Sequence, residues 1–82
     1  MAELKLHIVS PEGTLVDGVP VSLVRLPGAA APFTVLPGHA PLISPLLPGA
    51  VTYDGPDGPG SLTIRSGFVR VTRSAVELAV EV

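Results

Sequence analysis

The chain reads as an all-β domain, and three features of its 82 residues say so. Pro-Gly dipeptides recur at 27–28, 37–38, 48–49 and 59–60, separated by 10, 11 and 11 residues. Proline followed by glycine suits the two central positions of a type II turn, and turns at that spacing leave room only for short strands. The segments between them alternate apolar and polar side chains, the period of a strand with one buried face. No window keeps a helical period. "SAVELAV" comes nearest, and its strict two-residue repeat favours a strand. Several short strands between regular turns are the pattern of a sandwich or a barrel.

Taken in order, Leu4, Leu6 and Ile8 alternate with Lys5, His7 and Val9, so the first strand has one strongly apolar face and His7 points toward solvent or a sheet edge. "VPVSLVRLPG" changes parity, with Val19, Val21 and Leu23 on one face and Val24 and Leu26 on the other, which predicts a bulge or burial on both faces. Phe33 and Phe68 read as core aromatics. "DGPDGPG" (54–60) is a hairpin loop by composition. At the end, Val76, Leu78, Val80 and Val82 share an apolar face, opposite Glu77, Ala79 and Glu81. Arg65, Arg70 and Arg73 read as a solvated strand face.

The size allows one domain, residues 1–82, with 46% hydrophobic and 15% charged residues, enough to fill a core. The absence of cysteine excludes disulfides and thiolate chemistry. A net charge of −2, with one lysine and four scattered arginines, gives no footprint for nucleic acid. Residues 26–53 carry no Asp, Glu, Lys or Arg, but six prolines interrupt the run, so no direct membrane span is expected. The charge at Glu3 and the alternation after it argue against a secretory leader.

The sequence carries no motif of known site chemistry. The single lysine is followed by leucine, so a phosphate-binding loop is excluded, and its place inside a strand rather than at a hairpin tip excludes a swinging-arm carrier domain. His7 and His39 have no carboxylate or imidazole companion at i+2 or i+4, which leaves no metal site. Ser10, Ser44, Asp17 and His39 form no nucleophile elbow or carboxylate pair, so no catalytic site is expected. Neither a cofactor nor a nucleotide is called for. What remains is a continuous, uncharged, proline-stiffened surface, a composition suited to protein contact.

"LKLHIVSPEGTLVDG", "LVRLPG", "FTVLPGHAPLISPLLPGAV" and "SGFVRVTRSAVEL", in this order, resemble the N-terminal β-sandwich of the epsilon subunit of F-type ATP synthases. Leu36-Pro37-Gly38-His39-Ala40-Pro41-Leu42 is the most specific element. The resemblance implies a flattened β-sandwich of about ten short strands in two sheets. It also implies a place in the central rotor stalk, between the gamma subunit and the polar loops of the c-ring, supporting the coupling of proton or sodium flow to ATP synthesis. Such a subunit lies peripherally on the cytoplasmic side of the bacterial inner membrane and has no catalytic centre of its own. A partner surface is then expected from Ala29, Ala30, Ala31 and Pro32 together with Pro37, Gly38, His39, Ala40, Pro41 and Leu42. Ala31, Thr34 and Ser66 stand where the family usually has glycine, which stiffens the backbone. Typical members continue into a two-helix hairpin, and the sequence stops at Val82, so no inhibitory hairpin is expected. A free-standing β-sandwich binding module is the alternative reading of the same uncharged surface.

Overall fold

A computed structural model describes residues 4–82; Glu3 lies outside the described residues. Nine strands follow one another there: β1 (Leu4–Ser10), β2 (Gly13–Val21), β3 (Leu23–Leu26), β4 (Phe33–Val35), β5 (Leu42–Leu46), β6 (Gly49–Gly55), β7 (Gly58–Ile64), β8 (Ser66–Val71) and β9 (Ala75–Glu81). They form a five-stranded sheet, β2-β1-β9-β8-β5, and a four-stranded sheet, β4-β3-β6-β7. The first and last strands pair in parallel at the centre of the larger sheet, and the other pairings are antiparallel. Extents of 33 × 25 × 18 Å give the flattened sandwich.

The two-residue period decides what is inside. Leu4, Leu6 and Ile8 of β1 and Val76, Leu78 and Val80 of β9 face Val24, Leu26, Val35, Val51 and Ile64 of the other sheet, and the buried set is wholly apolar. Phe33 packs against this core as expected. Val82 does not: it lies past the end of β9 and is half exposed, because the apolar face closes at Val80.

The parity change in "VPVSLVRLPG" is a corner rather than a bulge or double burial. The chain leaves the larger sheet after Val21 and enters the smaller one at Leu23, and Ser22 makes the turn with its backbone N–H and its hydroxyl donating to Asp54 O at 2.8 and 3.3 Å. Changing sheets reverses which side faces the core, so burial moves from Val21 to Val24 and Leu26.

The Pro-Gly rule holds at one site. Pro37-Gly38 forms the expected turn, with Gly38 at φ +82° and His39 N–H donating to Leu36 O at 3.0 Å. The tight hairpins use another signal, "SPEG" at 10–13 and "GPDG" at 55–58, which pair Ser10 with Gly13 and Gly55 with Gly58 across two-residue loops. Proline fixes the first loop residue, and Gly13 and Gly58 accept φ of +140° and +105°. Pro59-Gly60, by contrast, lies within β7.

Proline also marks each sheet edge. Pro20, Pro45 and Pro59 sit in edge strands β2, β5 and β7, and Pro32 precedes edge strand β4. A residue without an N–H blocks the addition of another strand, so edges are poor docking sites and the sheet faces remain.

Candidate partner interface

The structure divides the ten expected interface residues between the two ends of the sandwich. Ala29, Ala30, Ala31 and Pro32 are exposed and sit where β5 finishes, with Ala29 N–H donating to Pro45 O at 3.1 Å. Pro37 to Pro41 lie where β5 begins, with Gly38 N–H donating to Arg73 O at 3.3 Å in the β8–β9 turn. Four residue steps of extended chain, about 13 Å, separate the two groups. They are therefore two surfaces.

The 29–32 segment is tightly folded in a way the sequence does not display. A Cβ placed on Gly28 would stand 2.6 Å from Ala31 O and 2.7 Å from the Phe33 ring, so the chain folds back tightly over that glycine. This end also carries the Ser10–Gly13 hairpin, Arg65 and Glu81, where Arg65 N–H donates to Glu81 O at 2.7 Å. It mixes apolar and charged groups.

At the other end His39 is half-buried, and its Nδ1 lies 2.7 Å from Ala40 O. Leu42 is half-buried against the core, so it belongs to the fold more than to a contact surface, and a test of that end falls on His39. Replacing Gly38 by alanine meets nothing within 4 Å and only the strain of φ +82°. The expected loss in urea denaturation is about 1 kcal/mol, without loss of the folded state.

A further exposed apolar surface lies outside the ten expected residues. On the outer side of the five-stranded sheet, Val9 stands beside Ala79, Ala79 beside Phe68, and Phe68 beside Pro45, an apolar row across four strands. Phe68 is 60% exposed and is not a core residue; Ile43, next to this row, is 74% exposed. Parity carries the signal, because Val69 and Val71 face the core and Phe68 must face away. The neighbouring row reads Asp17, His7, Glu77, Arg70 and Ile43, with Arg70 Nε 3.0 Å from Glu77 and His7 Nδ1 3.8 Å from Asp17. His7 faces outward as expected.

The Arg70–Glu77 pair is exposed on both sides, so its contribution to stability is small. Arg70→Ala is expected to change the unfolding free energy by less than about 1 kcal/mol, with the difference disappearing in high salt. Arg65 and Arg73 are exposed too.

The outer side of the four-stranded sheet is the opposite in chemistry. Its cross-strand row reads Thr34, Arg25, Thr52 and Ser61. One face of the sandwich is finished for water, and the other presents an aromatic ring and aliphatic neighbours to it.

Among the described residues no group of three His, Asp or Glu side chains is placed to hold a metal ion, and no helix is long and apolar enough to cross a membrane. What the geometry offers is an exposed apolar face and two loop ends. Residues 3–82 match the family described as "ATP synthase, Delta/Epsilon chain, beta-sandwich domain". The chain belongs to this family. It is 43% identical over 79 residues to the ATP synthase epsilon chain of Paracoccus denitrificans, covering 95% of this chain and 53% of that one. It is also 43% identical over 82 residues to the epsilon chain of a Nitratiruptor species, covering 99% and 63%. The chain thus spans a little over half the length of these family members. Among solved structures, a chain of the Euglena gracilis mitochondrial ATP synthase, described as OSCP/F1/c-ring, superposes with a TM-score of 0.90 at 21% identity, covering 98% of this chain and 51% of that one. A chain of the Tetrahymena thermophila mitochondrial ATP synthase, described as central stalk/c-ring, gives 0.80 at 14% identity, covering 96% and 63%. These two likenesses are of fold.

Proposed function

We propose that this chain is a non-catalytic central-stalk subunit of an F-type ATP synthase, joining the gamma subunit to the c-ring on the cytoplasmic side of the bacterial inner membrane. The contrast between the two outer sheet faces carries the reading. A stalk subunit must be gripped along its flank firmly enough to turn with its neighbour, and the Val9–Ala79–Phe68–Pro45 row is the apolar flank available. The gamma subunit takes that face. Polar loops of the ring suit the end that Ala29 to Pro32 share with Glu12, Arg65 and Glu81, since mixed polar groups meet polar loops without stranding a charge in an apolar contact. In this role the subunit supports coupling by mechanical linkage, and its own side chains carry out no bond chemistry.

Co-purification tests it. The tagged chain, expressed in its own cell, is expected to bring down gamma and ring subunits together. Recovery of the folded chain without gamma would sink the stalk reading and leave a free-standing binding module.

A further inference from the structure

The sequence asks what one histidine does between two prolines, and the ring geometry answers part of it. Within residues 36–42 the imidazole is the single polar side chain. Its Nδ1 stands 2.7 Å from Ala40 O. A carbonyl oxygen can only accept, so Nδ1 must carry the hydrogen. In the neutral ring the other nitrogen, Nε2, then has a lone pair and no hydrogen, because the bond made at one nitrogen sets the state of the other. Nε2 makes no hydrogen bond within the described residues, and the side chain is half-exposed.

The loop holds this arrangement in place. His39 N–H closes the turn on Leu36 O, Gly38 N–H is tied to Arg73 O, and prolines at 37 and 41 restrict the chain on either side. The loop also runs directly into the apolar flank: Leu42 opens β5, Ile43 stands on the outer face, and Pro41, Ile43 and Arg70 border one shallow groove. A partner seated on Phe68 and Ile43 therefore reaches Pro41, two residues from His39.

We propose that His39 is a preset hydrogen-bond acceptor, with Nδ1–H spent on Ala40 O so that Nε2 receives an N–H or O–H from the gamma subunit. This rests on the stalk reading and adds to it the polarity of one contact: the gamma group at that point is a donor. A ring with its tautomer already chosen loses less freedom on binding than a free imidazole, and an acceptor left without its donor in a closed interface weakens binding.

The two amides separate the two nitrogens. Asparagine places its amide near Nδ1 and can still donate to Ala40 O, while glutamine reaches the place of Nε2 with an acceptor oxygen. Binding of the 82-residue chain to recombinant gamma subunit is measured for wild type, His39→Gln and His39→Asn, with melting curves for each. Long-range proton–nitrogen NMR reads the ring tautomer of the wild type directly. The expected result is an Nδ1-protonated ring, His39→Gln binding within about threefold of wild type, and His39→Asn weaker by tenfold or more. An Nε2-protonated ring, or equal binding by the two variants, overturns the inference while wild-type binding leaves the stalk reading standing. Failure of the folded wild type to bind gamma removes the stalk reading and this contact with it. Should His39→Asn not fold, the tautomer and the His39→Gln affinity decide.

Discussion

Phe68→Glu is expected, on the proposed stalk role, to abolish recovery of gamma with the tagged chain while moving the melting temperature by only a few degrees. Phe68 is 60% exposed, so little of its packing inside the monomer is at stake. A phenylalanine buries roughly 150–250 Å² when fully covered, which leaves about 120 Å² of this ring for a partner to cover. At about 25 cal/mol per Å² that is about 3 kcal/mol, or two orders of magnitude in Kd. Glutamate removes this and sets a carboxylate against an apolar surface, which adds a desolvation penalty. Surface substitutions away from special features usually stay within about 0.5 kcal/mol of the parent stability, so the two effects separate cleanly. Ser61→Glu, on the polar row of the opposite sheet, is the matched control and is expected to bind like wild type. Undiminished recovery of gamma with folded Phe68→Glu, or loss with Ser61→Glu, would move the interface off this face.

The reading of Phe68 as core shows where sequence reasoning reached its limit. The fold class, the strand at 75–81 and the inward faces of β1 and β9 follow from a two-residue period, which each segment displays by itself. Residue type points Phe68 inward, because a bulky aromatic is usually inside, whereas the alternation with Val69 and Val71 points it outward. The apolar row needs more than parity. Val9, Ala79, Phe68 and Pro45 come from four strands and meet only through the register of three pairings, one of them parallel and joining the two ends of the described chain. Non-local register has no trace in a single segment. The same holds for the expected interface loop: residues 29–32 and 37–42 are neighbours in sequence, yet β4 and β5 carry them to opposite ends. The corner at Ser22 left a visible signal, the parity switch, but parity alone does not distinguish a change of sheet from a bulge.

Two glycines set side by side give the second large effect. At Gly67 an added Cβ would stand 2.6 Å from Ala79 O and 2.9 Å from Val80 Cγ1, with Val80 Cα at 3.1 Å. At Gly60 it would fall well inside contact distance of the Tyr53 ring, its cross-strand neighbour. The obstacles differ in kind. Tyr53 is a side chain with χ angles to turn, and the ring can give way at a cost of about 1 kcal/mol, partly offset by the lower unfolded-state entropy of alanine. Ala79 O and Val80 Cα are backbone of β9, the strand that pairs with both β1 and β8, so they move only if the central ladder of the sheet moves. Forcing extra volume into a packed site costs about 1–3 kcal/mol, and here the upper end applies because the neighbour that must shift is main chain. A domain of this size gains only several kcal/mol on folding, and each is worth about 4–8 °C in melting temperature. Gly67→Ala is therefore expected to lower the melting temperature by about 10–20 °C, and Gly60→Ala by less than half as much. A smaller loss at Gly67 than at Gly60 would mean that β8 and β9 part more readily than their register implies, and the outer face that they carry would then be less rigid than the proposed stalk role requires.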